Sequence, residues 1–253
     1  MKRIFKIIAL ISLISHLLIA QSSKPKRLLF VLTSHDILGN TNKKTGFWIE
    51  EFATPYYFFK DKGYGIVVAT PKGGQAPIDP KSNEPAFQTS ATKRYFTDSK
   101  TQVVLSKTVK LTSVNQKDFD AVFYPGGHGP MWDLVNDQAS INLIQDFYNN
   151  QKPVAFVCHG SAALINVKDK NGKYLIDGKK ITGFCNTEEE AVQLTKVVPF
   201  ALESKLKEHG AIYEKGADWS AFAINDGLIL TGQNPQSSEL VAEKLLDLLT
   251  KKN

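Results

Sequence analysis

The chain has 253 residues, 42% of them hydrophobic and 22% charged, with a formal net charge of +6. This length suits a single α/β domain with a sizeable buried core. The basic residues are spread along the chain and form no stripe with interleaved aromatic residues, which argues against nucleic-acid binding. The two cysteines, Cys158 and Cys185, lack the paired Cys or Cys/His spacing of a zinc site, so we expect no bound metal.

Residues 1–20 have the pattern of a secretory signal peptide. Three Lys or Arg residues within the first six precede a mostly apolar run, Ile7 to Ile19, and the small residue Ala20 follows. The run is too short to span a bilayer comfortably, so we predict cleavage and export to a periplasm or the medium, with an uncleaved anchor as the alternative. Removing residues 1–20 takes away three positive charges and no acidic one, so the net charge falls from +6 to +3. Residues 21–25 then form a polar leader and residues 26–253 the folded domain.

In the first half of the domain, apolar runs predict two strands, Arg27 to Thr33 and Ile66 to Ala69. Between them, Gly46 to Gly63 has helical spacing, and Pro55 predicts a kink or a break in that helix. The region that follows, Pro71 to Lys117, is rich in Gly, Pro, Lys and Ser. It predicts a small inserted cap region, with a short helix or two, that covers part of the active face.

In the second half, Asp120 to Tyr124 and Val154 to Val157 read as buried strands, separated by a helix at Ser140 to Asn149. A hairpin is predicted around Asn171-Gly172. The remaining predicted strands are Ile181–Phe184, Ile212–Glu214, Ala221–Ile224 and Leu228–Thr231. The remaining predicted helical segments are Ala191–Lys207, with one or two turns and then a helix, and an amphipathic helix at Ser238–Leu249. Strands that alternate with helices predict an α/β fold with a doubly wound parallel sheet sandwiched by helices. Ligands bind such sheets at the carboxyl ends of the strands.

Two adjacent glycines, Gly126 and Gly127, follow the strand that ends at Tyr124. Glycine allows a backbone to approach a ligand closely and to point N–H groups at it. The pair therefore predicts an oxyanion- or substrate-binding segment at this edge of the sheet, with a plain turn as the alternative.

Cys158 follows the strand Val154 to Val157, and His159-Gly160-Ser161 favour a tight turn into a helix. This pattern predicts a nucleophile on a sharp turn, with a lowered thiol pKa because free N–H groups of a helix N-terminus favour the thiolate. The residue after a nucleophile in such a turn donates its N–H to an oxyanion. Two alternatives stay open, namely an inert buried thiol and, in an oxidising compartment, a disulfide with Cys185.

Several motifs together resemble the ThiJ/PfpI superfamily: Thr45 to Glu51, Pro125 to Gly129 and Val157 to Gly160. Ile181 to Phe184, with acidic residues after it, and Leu230 to Pro235 are similar to the heat-shock-chaperone-like, glyoxalase III branch. The resemblance covers nearly all of the predicted domain. It implies a flavodoxin-like fold of the class I glutamine-amidotransferase type, and a homodimer.

The resemblance also implies site residues. It implies a catalytic Cys158 with His159 beside it, and a glutamate on the first helix that reaches the thiol, at Glu51. It further implies an acid that orients the histidine and lies a few residues after the Ile-Thr-Gly-Phe segment. We choose Glu189 for this role, and its two neighbours, Glu188 and Glu190, remain alternatives. By local pattern alone, Glu51 could equally be a surface residue of its helix, and a run of glutamates is usual at a solvated helix start.

The implied activity is that of a cofactor-independent glyoxalase, with a small carbonyl compound such as methylglyoxal as substrate. The Cys158 thiolate would add to the aldehyde, Glu51 and His159 would move protons, and the N–H groups of Gly127 and His159 would stabilise the oxyanion. A cysteine peptidase, an amidase or a deglycase is the alternative within the same family. A stress holdase and a redox sensor are alternatives of other classes. A glutaminase is disfavoured because no remaining histidine has a glutamate two residues later.

Overall fold

The computed structural model describes residues 26–251, so the predicted signal peptide and the whole of the predicted leader lie outside the described residues. The strands are β1 (Arg27–Val31), β2 (Gly65–Thr70), β3 (Val109–Lys110), β4 (Ala121–Tyr124), β5 (Val154–Val157), β6 (Lys180–Ile181), β7 (Ile212–Tyr213), β8 (Ala223–Asp226) and β9 (Ile229–Gly232). The helices are α1 (Ile49–Lys60), α2 (Ser90–Thr97), α3 (Ser99–Ser106), α4 (Gln138–Asn149), α5 (Asn186–Ala191), α6 (Leu202–Glu208) and α7 (Ser238–Thr250). Within residues 26–251, no helix combines the length and apolar character needed to cross a membrane.

Seven strands form one sheet in the order β3-β2-β1-β4-β5-β9-β8. All neighbouring pairs are parallel except β8 and β9, which run antiparallel. The predicted α/β architecture is confirmed, and the antiparallel edge strand is a departure from the predicted all-parallel sheet. Its cause is the short connection at Gly227, since a parallel pair needs a crossover of a dozen or more residues. The remaining strands, β6 and β7, form a separate two-stranded sheet.

The central strands are buried because their sequences are apolar on both faces, as expected for parallel strands between helices. The apolar residues of β1, β4 and β5 have no exposed surface. Helices α1 and α7 pack against each other, α7 also packs on β5 and β9, and α4 packs on β4 and β5. This rigid centre brings the ends of β4 and β5 together at one edge, where the motifs singled out in the sequence are found.

Helix α1 runs through Pro55, so the predicted break does not occur. Proline removes the hydrogen bond to the carbonyl four residues earlier, which belongs to Glu51. Pro55 is itself buried, as are four of the five aromatic residues of the same helix. Burial of this apolar face against the core offsets the lost hydrogen bond and keeps the helix continuous.

The region from Pro71 to Lys117 holds α2, α3 and several single turns of 3₁₀-helix, which confirms the predicted short helices. Asp79 joins this region to the segment before α1, since its carboxylate accepts a hydrogen bond from the hydroxyl of Thr45 at 2.8 Å. A second link joins the hydroxyl of Thr89 to the carboxylate of Glu50 on α1. The cap region is therefore fixed to the helix that carries Glu51.

Candidate active site

Cys158 is the first residue after β5 and begins a 3₁₀-helix, Cys158–Leu164. Its φ of +57° lies in the left-handed region, which costs free energy for a residue with a side chain. The predicted sharp turn is therefore present, although it leads into a 3₁₀-helix rather than an α-helix. Both cysteines are free and buried, so the alternative of a disulfide between Cys158 and Cys185 does not apply.

Gly126 and Gly127 allow three backbone segments to touch at the end of the sheet. A Cβ on Gly126 would lie 2.7 Å from the backbone nitrogens of His159 and Gly160. Gly127 has a φ of +77°, and a Cβ there would lie 2.5 Å from the carbonyl oxygen of Gly46. Real Cβ atoms do not approach so closely, so any other residue would push the segments apart. The glycine pair thus fixes the distance between the Cys158 turn and the start of α1.

Glu51 on α1 is fully buried and faces this turn. Its Oε2 accepts a hydrogen bond of 2.6 Å from the N–H of Gly126. Among the described residues, Oε1 has no hydrogen-bond partner of good geometry. Burial raises the pKa of Glu51 to about 8, although the Gly126 N–H and the nearby Cys158 thiol act in the opposite direction. The carboxyl is therefore protonated at neutral pH.

The bond from Gly126 to Glu51 corrects one expectation. Because the Gly126 N–H is donated to a carboxyl oxygen, it is not free to stabilise an oxyanion. In the part of the chain that the structure describes, the N–H of Gly127 makes no backbone hydrogen bond and remains free for that role.

The Cys158 thiol differs from the expectation of a lowered pKa. Burial raises its pKa, and the charge of Glu51 raises it further, while the backbone N–H of His159 alone lowers it. The sequence pattern indicates the free N–H groups of the turn, but it does not reveal the burial of the Cys158 thiol or the Glu51 carboxyl that faces it. Since charge on either group disfavours charge on the other, the thiol–carboxyl pair loses its two protons in separate steps.

The imidazole of His159 links the thiol to Glu189. Its Nδ1 lies 3.3 Å from Cys158 Sγ, and its Nε2 lies 2.6 Å from Glu189 Oε2. Burial and the neighbouring His128 lower the pKa of His159, although Glu189 raises it. A neutral ring that donates from Nε2 to the carboxylate leaves Nδ1 as an acceptor facing the thiol. The structure thus brings together Cys158, His159 and Glu189 in the order of a nucleophile, a base and an orienting acid.

Among the three consecutive glutamates, only Glu189 contacts His159. Glu190 is exposed. Glu188 is buried, and its carboxylate accepts hydrogen bonds from three other segments. The donors are the N–H and the thiol of Cys185, the N–H of Trp219 and the side-chain amides of Gln233 and Asn234. The bond to Cys185 reaches back to the residue before α5 and forms a capping box, so the next residue along the helix turns toward the histidine.

His128 is a residue of this site that the sequence analysis did not assign. Its Nε2 lies 2.9 Å from Glu189 Oε1, so one carboxylate joins two imidazoles. Burial raises the pKa of Glu189, but the charges and hydrogen bonds of His159 and His128 outweigh burial and lower it. The rings of His128 and Phe184 lie 4.2 and 4.4 Å from that of His159 and hold it in place. His128 could have been predicted from the strand order, because β4 and β5 are neighbouring strands. His128 follows the end of β4, and His159 follows the end of β5.

The ligand atoms of His128, His159 and Glu189 all lie within 4.8 Å of one another, close enough to hold a metal ion. These atoms are engaged in hydrogen bonds with one another. The same arrangement orients the imidazole of His159 and stabilises a positive charge on it.

Cys158, His159, Glu51 and Gly127 open into one cavity of about 910 Å³. Residues of the cap region form part of its wall, among them Pro80, Glu84 and Phe87. Glu50 also lines the cavity, although its carboxylate is turned toward Thr89 of the cap and not toward the thiol. The site therefore has a buried reacting end and a wide chamber beyond it.

Comparisons with known proteins agree with this geometry. A model of the DJ-1/PfpI family matches residues 44–248. The chain is 32% identical over 229 residues to Glyoxalase 3 of Candida albicans, which covers 87% of this chain and 97% of that protein. It is 30% identical over 234 residues to the glutathione-independent glyoxalase HSP31 of Saccharomyces cerevisiae, with 89% and 98% covered. The solved structure of Rapid Encystment Protein 24 KDa of Francisella tularensis has a TM-score of 0.86 and 40% identity, covering 89% of this chain and 100% of that one.

Proposed function

This chain belongs to the DJ-1/PfpI family, and on that premise we propose that it is a glutathione-independent glyoxalase that converts a 2-oxoaldehyde such as methylglyoxal to a 2-hydroxy acid. One observation carries the proposal: a buried, protonated Glu51 faces a cysteine whose other neighbour is a neutral histidine. A hydrolase needs a nucleophile, a base and oxyanion donors. A second proton carrier opposite the base is the additional group that an aldehyde-to-acid rearrangement requires.

The first step joins enzyme and substrate. Cys158 Sγ attacks the aldehyde carbon while His159 Nδ1, 3.3 Å away, takes the thiol proton. The aldehyde oxygen gains the electron pair of the C=O bond, is stabilised by the N–H of Gly127, and receives the proton of Glu51. The result is a hemithioacetal, a Glu51 carboxylate and a protonated His159, whose charge is stabilised by Glu189.

The second stage moves a proton between the two substrate carbons. The Glu51 carboxylate removes the proton from the former aldehyde carbon, and His159 protonates the neighbouring ketone oxygen, which gives an enediol. Glu51 then returns its proton to the second carbon while His159 takes the proton of the first hydroxyl group. The first carbon is oxidised to a thioester and the second is reduced to an alcohol, so no external oxidant or reductant is needed.

Water completes the reaction. It attacks the thioester carbon, the Glu51 carboxylate takes a proton from the water, and the leaving Cys158 sulfur is protonated by His159. The products are a 2-hydroxy acid and the enzyme in its starting protonation state. Two proton carriers beside the sulfur, Glu51 and His159, are therefore sufficient for every transfer.

The proposal is tested by incubating the purified protein with methylglyoxal in the absence of glutathione and assaying lactate. We expect stoichiometric formation of lactate, and no increase in rate when glutathione is added. A requirement for glutathione, or loss of methylglyoxal without formation of lactate, would contradict the proposal.

The role of Glu189 gives a prediction with a matched control. Glu189→Gln is expected to lower kcat/KM for methylglyoxal about a hundredfold, since a neutral amide no longer stabilises the protonated His159. Glu190→Gln, the same change at the exposed neighbouring residue, is expected to leave kcat/KM within about twofold of the wild type. Steady-state kinetics on both purified variants measure the difference, and equal effects at the two positions would argue against the assignment.

We also propose that the folded domain acts after export and as a homodimer. Export is supported by the signal-peptide pattern of residues 1–20, and the dimer by family resemblance. N-terminal sequencing of the protein recovered from its own cells should show a start after Ala20. Sedimentation equilibrium should give twice the mass of the processed chain.

A further inference from the structure

The cavity is much larger than the proposed substrate. Its volume is about 910 Å³, near the upper end of the range of small-molecule pockets. Methylglyoxal, a three-carbon compound, fills on the order of a tenth of that volume if each heavy atom takes up somewhat less than a water molecule. A substrate that uses this chamber must carry a larger group beside the 2-oxoaldehyde.

The chamber walls are rich in aromatic side chains. Phe184 packs against the ring of His159, and Trp219 meets Phe184 edge to face with ring centres 5.8 Å apart. A second aromatic pair, Trp48 and Phe87, joins the start of α1 to the cap region with ring centres 5.1 Å apart. Both pairs line the cavity that contains Cys158.

Two of these residues, one from each pair, are partly exposed. Trp219 is 42% exposed and Phe87 is 37% exposed, and both line the same cavity. Trp219 also has a φ of +62°, so its backbone is held in an unfavourable conformation. The N–H of Trp219 is bound by the buried carboxylate of Glu188, which stabilises that conformation. The ring is thus held in place at the cavity wall rather than packed into the core.

The charged residues of the wall do not favour a charged substrate group. Lysines and carboxylates both contribute, so neither sign dominates. The lysines are Lys43, Lys44 and Lys81, and the carboxylates are Glu50, Glu51, Asp79 and Glu84. The partly exposed aromatic rings are therefore the feature of the wall with the clearest preference, and they prefer a flat apolar group.

Resting on the glyoxalase activity proposed above, we propose that the site takes 2-oxoaldehydes with an aromatic group on the ketone carbon, the arylglyoxals, in preference to methylglyoxal. The aryl group lies between the rings of Trp219 and Phe87 while the aldehyde reaches Cys158. The chemistry is unchanged: one water is added, the aldehyde carbon is oxidised, the ketone carbon is reduced, and an aryl-substituted 2-hydroxy acid leaves.

The experiment compares kcat/KM for phenylglyoxal and for methylglyoxal, each without glutathione. We expect the ratio of the two to be at least about tenfold in favour of phenylglyoxal in the wild type. Trp219→Ala and Phe87→Ala should each lower that ratio about tenfold, because each removes one aromatic contact. Trp219→Phe, which keeps an aromatic ring at this position, should retain most of the preference for phenylglyoxal over methylglyoxal. Thermal melts of each variant show that the fold is intact.

Phe96→Ala is the matched control. Phe96 is 38% exposed, like the two rings of the cavity, but lies on α2 and is not part of the cavity wall. Its loss should leave the ratio within about twofold. A wild type that turns over methylglyoxal without preferring phenylglyoxal, or ratios unaffected by Trp219→Ala and Phe87→Ala, would overturn the inference and leave the glyoxalase proposal standing. A wild type that converts neither compound would overturn both.

Discussion

Replacement of Cys158 by serine is expected to lower kcat/KM for methylglyoxal by at least about three orders of magnitude. The hydroxyl group is a far weaker nucleophile than a thiol, and loss of a nucleophile removes the covalent route altogether. Serine fits the same space and adopts the same backbone, so the fold should be retained despite the φ of +57° at this residue. Steady-state kinetics together with a thermal melt separate loss of chemistry from loss of structure.

The second cysteine supplies the control. Cys185 is buried beside Glu188, with its Sγ 3.1 Å from the hydroxyl of Thr187, and serine can replace it in these hydrogen bonds. Cys185→Ser is therefore expected to leave kcat/KM within about twofold of the wild type. Full activity in Cys158→Ser, or equal losses in the two variants, would remove the Cys158 thiol from the mechanism.

Glu51→Gln is expected to have two opposite effects, a loss of activity of about a hundredfold or more and a gain in stability. The amide cannot carry protons between the substrate carbons, so the enediol steps fail. The amide can still accept the hydrogen bond from the Gly126 N–H, so the three segments at the site stay in place. A stable, correctly folded and inactive variant is the expected outcome.

The gain in stability follows from the raised pKa of Glu51. Folding raises this pKa from 4.5 to about 8, so ionisation of the buried carboxyl opposes folding. The cost is absent below pH 4.5, grows as the pH rises toward 8, and is constant above 8. At pH 7 it is on the order of 3 kcal/mol. After allowance for an imperfectly hydrogen-bonded amide, we expect Glu51→Gln to raise the Tm at pH 7 by roughly 4 to 8 °C.

Thermal melts of the wild type and of Glu51→Gln from pH 4 to pH 9 measure this difference. The two Tm values should converge at the acid end and separate as the pH rises. A gap that is widest at pH 4, or a less stable variant throughout, would contradict the assignment of a buried neutral carboxyl.

The same pKa predicts the pH dependence of turnover. In the wild type, kcat/KM should fall as the pH rises through about 8, because an ionised Glu51 cannot protonate the substrate oxygen. It should also fall on the acid side, below the ordinary pKa of histidine, as His159 becomes protonated and loses its role as a base. Residual activity of Glu51→Gln should lack the alkaline limb.

Much of the fold could be predicted because its central strands are short apolar runs buried on both faces. Such runs at β1, β4 and β5 identify a sheet between helices, and the ends of those strands mark the site. The antiparallel direction of β8 was missed although the sequence contains a signal for it, since Asp226-Gly227 between two apolar runs is typical of a hairpin turn. The helix continues through Pro55 without the break that was one of the two predicted outcomes, because helix propensity does not include the packing of α1 on the core.

Within the site, the residue types could be predicted but their electrostatics could not. Cys158 and His159 follow from the end of β5, whereas the raised thiol pKa depends on burial and on a carboxyl from α1, more than a hundred residues earlier. The contact between His128 and Glu189 joins residues 61 positions apart. In a run of three glutamates, a sequence gives no direction for any one side chain, and the direction is decided only by the capping of α5.

The carboxylate of Glu188 connects two parts of the pocket that evolution would otherwise alter separately. It holds the turn of Trp219 and also caps α5, whose next residue orients His159. A substitution that moves the Trp219 turn also moves Glu188 and, through α5, the imidazole of His159. A change of substrate specificity on this side of the chamber is therefore expected to lower catalytic activity. Phe87 sits on a different segment of the chain, in the cap region. We therefore expect related enzymes to diversify their substrates around the Phe87 side and to keep the Trp219 side nearly constant.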